Sequence, residues 1–194
     1  MAGQRGERAD AAANRERILR AARRLVEEHG PGALTMQGVA SAAGVGKGTV
    51  FHRFGDRDGL THALLDEYMR EFQDGFLRGP PPLGPGAPPA ERLEAFVVGL
   101  VGLQLGHLEL ALAAEAPAGH ALPPVYGTLL IHIATLVHEI DPALDERVLA
   151  GFILSAIAPP VLHRMRGVLG VDIPALQASA RALLQGLTRM DDPS

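Results

Sequence analysis

Four polar side chains in the first third of the chain have types that suit nucleic-acid binding: Lys47, Thr49, His52 and Arg57. Lysine and arginine can donate to phosphate oxygens or to the acceptors of guanine, and threonine and histidine can hydrogen-bond to a base edge. A valine or threonine methyl can meet the methyl group of thymine. The full set predicted to contact DNA is Thr35, Lys47, Gly48, Thr49, Val50, His52 and Arg57.

Two short helices around a glycine turn are predicted to position these side chains. Thr35 is a good N-cap for a helix that ends at Ala43, and Gly44 can take the positive φ of a sharp turn. A second helix follows over 47–54, with Val50 and Phe51 as its expected core anchors. One such helix fits the major groove of DNA, where every base pair displays a distinct pattern of donors and acceptors.

Two longer helices are predicted to flank this pair. Apolar residues recur at helical spacing from Asn14 to His29, with arginines on another face, and Gly30-Pro31-Gly32 ends that helix. Asp56 can cap a fourth helix that runs to about Phe76. We therefore expect a flexible basic arm over 1–13, a helix-turn-helix domain over 14–60, and a second domain over 61–194.

The charge distribution separates these two domains. The chain carries a formal charge of -4, but residues 1–60 hold ten Lys/Arg against seven Asp/Glu. The remainder holds eight against fifteen. A basic head can meet phosphate, whereas an acidic, apolar body is better suited to a small molecule or another protein chain.

The string from Leu34 to Leu60, LTMQGVASAAGVGKGTVFHRFGDRDGL, resembles the helix-turn-helix region of the tetracycline-repressor (TetR) family of bacterial regulators. Three positions depart from the family pattern. Gly46 replaces a capping serine, Phe51 replaces a tyrosine whose hydroxyl would contact phosphate, and Arg57 replaces a lysine.

The resemblance implies an all-α fold in which an N-terminal three-helix DNA-binding domain precedes a helical domain for ligand binding and dimerisation. It also implies a ligand-responsive repressor that binds a near-palindromic operator in double-stranded DNA as a homodimer. The helices near 145–167 and 173–190 are the candidates for the dimer interface. Other body helices are predicted over 90–106, 107–116 and 124–140, and Pro159-Pro160 should interrupt the segment 145–167.

No motif marks a ligand pocket in the body, so its residues are predicted from type alone. Apolar walls with a few polar points are typical of small-molecule sites and favour a small hydrophobic effector. For any one of these residues, core packing or surface exposure is the commoner explanation. The predicted pocket residues are Phe72, Phe76, Phe96, Leu100, Gln104, His107, Tyr126, His132 and Phe152.

Several other functions fit the sequence less well. GVGKGT lacks the upstream glycine and the Gly-Lys-Ser/Thr order of a nucleotide-binding phosphate loop. His107 with Glu109, and His132 with His138, lack the spacing that places two metal ligands on one helical face, so neither a metal nor a cofactor is expected. The chain has no cysteine for a disulfide, a nucleophile or a zinc site.

Two alternatives concern the location and activity of the apolar body. The segment 95–114 approaches the length of a membrane span, but Gln104, His107 and Glu109 make insertion costly. Met1 to Asp10 holds no apolar run typical of a signal peptide, so we expect a cytoplasmic protein without a membrane partner. A helical enzyme or a small-molecule-binding protein remains the alternative, although no catalytic signature indicates an enzyme.

Overall fold

The computed structural model describes residues 2–115 and 124–188, which form ten α-helices, one short 3₁₀ turn at Pro31–Ala33, and no strand. The predicted all-α class is confirmed. The helices are α1 (Ala2–His29), α2 (Met36–Ala43), α3 (Lys47–Phe54), α4 (Arg57–Arg78), α5 (Pro89–Gly106), α6 (Leu108–Glu115), α7 (Pro124–Ile140), α8 (Glu146–Ala156), α9 (Pro159–Leu169) and α10 (Ile173–Thr188).

The chain divides into two compact units, Met1–Glu67 and Tyr68–Ser194. The first unit buries one face of each of its helices, as their periodicity predicts. Its fully buried side chains include Ile18, Ala22, Leu34, Val39, Val50, Leu60 and Leu64.

Helix α4 belongs to both units, because the division falls within it. Apolar residues recur along it at a spacing of four, which keeps them on one helical face. Leu60 and Leu64 are buried in the first unit, whereas Tyr68 and Phe76 are buried in the second. A single amphipathic stripe thus contributes to two cores.

The second unit is built around α5. Helices α7 and α10 both pack against α5, and α8 packs against α7. Phe96, Leu100 and Ile133 are fully buried at the centre of this core. Arg181 of α10 donates to Glu94 of α5 at 2.7 Å, which adds a polar contact to the apolar packing.

Two boundaries differ from the sequence prediction. Helix α1 begins at Ala2, whereas a flexible arm was expected over 1–13; the alanines at 9 and 11–13 favour the helix and continue into its amphipathic part. The unit boundary after Glu67 lies beyond the expected Leu60. The interruption at Pro159 is present, since α8 ends at Ala156 and α9 starts at Pro159.

In the described parts of the chain no single helix has the length and hydropathy to cross a membrane. Only α8 and α9 taken together reach both, and they are bent by 49° at their break.

Candidate functional site

The turn between α2 and α3 is held by local hydrogen bonds that follow directly from the sequence. The Thr35 hydroxyl oxygen accepts from the Gly38 backbone N–H at 3.0 Å, so Thr35 caps α2 as predicted. Gly44 ends α2 with φ of 65°, a conformation that side chains rarely adopt. The Val45 N–H returns to the Ala40 carbonyl at 3.0 Å and closes the turn.

Helix α3 has a buried face and an exposed face. Val50 is fully buried, and Gly48 and His52 lie on the opposite side of the helix and are exposed. Lys47 at the first position is also exposed, and Thr49 is half-buried on the flank. These four residues can meet a partner without any change in the packing of the unit.

Two sequence predictions about α3 are wrong. Val50 was expected to contact a thymine methyl, but its side chain is fully enclosed in the core. Phe51 was expected to anchor the core with Val50, but 62 % of it is exposed. Neighbouring residues point about 100° apart on a helix, and the packing of the unit turns Val50 inward and leaves Phe51 exposed.

The start of α3 lacks a side-chain cap, as expected from Gly46. Its first backbone N–H groups therefore keep their capacity to donate. At the next helix, Asp56 accepts from the Gly59 N–H at 2.8 Å, which confirms Asp56 as the predicted cap of α4.

Arg57 makes contacts that the sequence did not predict. Its Nε donates to the Leu34 carbonyl at 2.9 Å, and one terminal nitrogen donates to the Pro31 carbonyl at 3.3 Å. The guanidinium thereby ties the start of α4 to the segment that precedes α2. A guanidinium has five N–H donors, so some remain for a phosphate while the others hold this segment.

In the second unit, four of the predicted pocket residues form one aromatic cluster. The Phe76 ring lies 5.1 Å from the Phe96 ring and 4.3 Å from the His132 ring, measured between centroids. Phe72 joins from the same side of α4, 5.3 Å from Phe96. Residues from α4, α5 and α7 thus meet around His132.

Burial makes His132 hard to protonate. Removal from water, together with the positive charge of Arg92, lowers the pKa of His132 from 6.5 to about 4. The ring is therefore neutral at physiological pH. Its Nε2 is buried and has no hydrogen-bond partner among the described residues.

The remaining predicted pocket residues differ in their burial and contacts. Leu100 is fully buried, Tyr126 is half-buried against the core, and His107 stacks on Tyr68 with centroids 3.8 Å apart. The Gln104 side-chain oxygen is buried without a partner among the described residues. Phe152 contradicts the prediction, because 69 % of it is exposed on α8, where its helical position turns it away from the core.

Sequence reasoning also missed an open groove between α7 and α8. None of the predicted pocket residues lines it. Its lining residues are Leu130, Ile131, Ala134, Thr135, His138, Glu139, Glu146 and Arg147. They come from both α7 and α8, so the groove depends on how these two helices pack and not on one local motif.

Comparison with known proteins shows a similarity in the first unit. Residues 18–64 match the family model described as bacterial regulatory proteins, tetR family. This segment runs from α1 into α4 and includes the whole of α2, the turn and α3. This part of the chain is similar to the tetR family.

Curated relatives are similar to part of the chain. The HTH-type transcriptional regulator BetI of Stenotrophomonas maltophilia is 34 % identical over 85 residues, which are 44 % of this chain and 42 % of BetI. The HTH-type transcriptional repressor AcnR of Corynebacterium glutamicum is 41 % identical over 54 residues, 28 % of this chain and 29 % of AcnR. The match thus spans less than half of each relative's length.

Solved structures extend the similarity in fold to nearly the whole chain. A TetR-family regulator from Pectobacterium atrosepticum has a TM-score of 0.67 at 21 % identity, covering 96 % of this chain and 98 % of that one. A TetR-family regulator from Rhodococcus sp. has a TM-score of 0.62 at 19 % identity, covering 91 % and 99 %. At this level of identity the likeness establishes the fold of the second unit and not its ligand.

Proposed function

We propose that this protein is a DNA-binding transcriptional regulator, a ligand-responsive repressor that binds a near-palindromic operator as a homodimer. The observation that carries the proposal is the exposed face of α3. It presents Lys47, Gly48 and His52 around a helix anchored by buried Val50 and preceded by the Gly44 turn. A regulator acts where its DNA lies, which agrees with the expected cytoplasmic location.

In this proposal α3 lies in the major groove and each exposed residue has its own role. Lys47 donates to guanine or phosphate, and Thr49 and His52 hydrogen-bond to base edges or the backbone. Gly48 has no side chain, which allows close approach of the helix to the DNA. Its missing Cβ would meet no atom of the protein within 4 Å, so packing does not explain the glycine.

Phosphate contacts come from the ends of the neighbouring helices. The first turn of α2 begins after Thr35, and the backbone N–H groups there suit an oxyanion. Arg57 contributes mainly by holding the segment before α2 in place through its two carbonyl contacts. Its unused donors can add one contact to phosphate.

Dimerisation through the helices near 145–167 and 173–190 is supported by exposed apolar side chains. Val148 and Phe152, one turn apart on α8, are 50 % and 69 % exposed. Val168 and Leu169 at the end of α9 and Leu183 on α10 are also exposed. A twofold dimer presents two α3 helices to successive major grooves, about 34 to 36 Å apart.

The effector in this proposal is a small hydrophobic molecule bound in the second unit near the aromatic cluster of Phe72, Phe76 and Phe96. Since α4 contributes to both units, a ligand that moves Phe72 and Phe76 also acts on α4. That movement changes the separation of the two DNA-binding heads in the dimer. A difference of about 1 to 3 kcal/mol between the two states is enough for ordinary regulation.

Fluorescence anisotropy with DNA from the protein's own upstream region tests the proposal. We expect specific binding that weakens steeply with salt, because contacts to phosphate release counterions. A scrambled duplex of the same length and composition is the control. Equal affinity for the two duplexes at low salt would contradict a sequence-specific regulator.

A further inference from the structure

Arg92 is a partly buried cation with a long ion pair. Only 18 % of its side chain is exposed, and its Nη1 lies 4.0 Å from Glu139 Oε2. Glu139 is itself 44 % exposed, so solvent weakens this pair. The Nε of Arg92 is buried and has no hydrogen-bond partner among the described residues. Buried charges in proteins are normally paired and fully hydrogen-bonded.

His132 adds a second unpaired nitrogen on the same side of the second unit. Phe96 follows Arg92 by one turn of α5, and its ring centroid lies 4.9 Å from that of His132. The charge of Arg92 acts on His132, and the Nε2 of His132 has no partner among the described residues. The unpaired nitrogen of His132 thus lies in the aromatic cluster with Phe76 and Phe96, and Arg92 lies one turn of α5 before Phe96.

The two nitrogens limit the class of ligand that can bind beside them. A neutral ligand gives Arg92 no compensating charge, and a cationic ligand would be repelled. An anion can accept from Arg92 Nε and from His132 Nε2, and charge-assisted hydrogen bonds of this kind are about twice as strong as neutral ones. Phe72 and His132 are only half-buried, so the cluster is not closed on every side.

We propose that the effector of this regulator is a carboxylate with an apolar tail, whose carboxylate binds Arg92 and His132 and whose tail packs on the half-buried ring of Phe72. This inference rests on the proposed function, since it names the chemical class of the effector. It also predicts proton uptake. The bound anion raises the pKa of His132 from about 4, so the ring gains a proton that Phe76, with its ring centroid 4.3 Å away, helps to stabilise.

Isothermal titration calorimetry on the full chain at pH 6 tests the inference. The probes are octanoate and 4-phenylbutanoate, each compared with its own primary amide, which has the same shape and no charge. We expect both acids to bind at least about tenfold more tightly than their amides, the effect of a buried charge-assisted hydrogen bond. Titrations in two buffers of different ionisation enthalpy should reveal proton uptake with the acids and none with the amides.

Three variants assign the effect to these residues. Arg92→Gln should abolish the preference for the acids, and His132→Phe should abolish the proton uptake. Arg78→Gln, which removes an exposed arginine of α4 in the second unit, is the matched control and should change neither. If circular dichroism shows that Arg92→Gln is unfolded, Arg92→Lys replaces it, with a smaller but measurable loss of preference. Equal binding of both acids and their amides by the wild type, or unchanged acid binding by the folded Arg92 variant, would overturn the inference.

Anisotropy with upstream DNA, with and without octanoate, separates this inference from the proposed function. Specific DNA binding by a protein that does not prefer the acids refutes the carboxylate effector and leaves the regulator intact. Preference for the acids without specific DNA binding refutes the regulator and supports the carboxylate site.

Discussion

Lys47 and Thr49 are adjacent on α3 but should affect DNA binding in different ways. Lys47 is an exposed charge, and Thr49 is half-buried on the flank of the helix. We expect Lys47→Ala to weaken binding to all duplexes and, if it contacts a phosphate, to reduce the salt slope by about one. Thr49→Ala should also change the preference among single-base variants of the operator, measured by anisotropy. Uniform losses for Thr49→Ala would show that Thr49 only positions the helix.

His132 should make folding stability depend on pH. Its pKa is lowered to about 4 in the folded chain, so the unfolded chain binds the proton more readily. The stability that this residue contributes is present above pH 6.5 and is lost as the pH falls toward 4. Urea midpoints measured between pH 7 and 4.5 should therefore fall more for the wild type than for His132→Phe.

The matched control for this pH dependence is His138→Gln, which removes an exposed histidine from the same helix. It should follow the wild type. Parallel curves for the wild type and His132→Phe would contradict the burial argument.

At the residue scale, amino-acid types and their spacing predict which side chains are exposed better than they predict which atoms those side chains contact. Lys47 and His52 were expected to be accessible, and they are. The error over Val50 and Phe51 arose because both are apolar and adjacent, and only the packing of the unit decides which one turns inward. The sequence predicted only a phosphate contact for Arg57. Its observed partners are two backbone carbonyls more than twenty residues earlier, and no sequence pattern indicates such contacts.

At the scale of elements, two glycines of the turn and α3 have opposite roles. Gly44 has φ of 65°, so an alanine there is strained, whereas Gly48 lies inside a helix with no atom within 4 Å of an added Cβ. We expect Gly44→Ala to destabilise the chain by about 1 to 2 kcal/mol. Gly48→Ala should stabilise it by about 0.5 to 1 kcal/mol.

Urea denaturation measures both effects, and each variant is the control for the other. Anisotropy adds a second test of Gly48. The account predicts weaker DNA binding by Gly48→Ala despite its greater stability, because a methyl group holds α3 away from the bases. A Gly48→Ala protein with undiminished affinity would show that close approach at this position is not needed.

Element boundaries could be predicted where local chemistry decides them. Thr35, Gly44 and Asp56 act through neighbours within five residues, and the ends of α2 and α3 follow from them. The break before Pro159 follows from the lost backbone donors. The start of α1 was missed because Asn14 is a common N-cap residue, whereas the alanines at 11–13 favour a helix before it. The groove between α7 and α8 was missed because it depends on tertiary packing.

At the scale of the whole molecule, dimerisation should depend on the exposed apolar face of α8. Phe152 is 69 % exposed and lies one turn from exposed Val148. We expect Phe152→Glu to shift the protein to monomer in sedimentation velocity and to weaken operator binding at least tenfold. His62→Glu, an exposed position of α4 in the first unit, is the control and should remain dimeric. A Phe152→Glu protein that is still dimeric would place the interface elsewhere.

The most direct test of the account asks whether α3 lies in the major groove of the operator. Because the chain has no cysteine, a single His52→Cys substitution gives one site for a DNA-cleaving iron chelate. Glu91→Cys, at an exposed position of α5 outside the proposed interface, carries the same reagent as a control. The account predicts two clusters of major-groove cleavage from His52→Cys, about 34 to 36 Å apart, and none from Glu91→Cys. Cleavage by the His52→Cys conjugate no stronger or more localised than that by the control would contradict it.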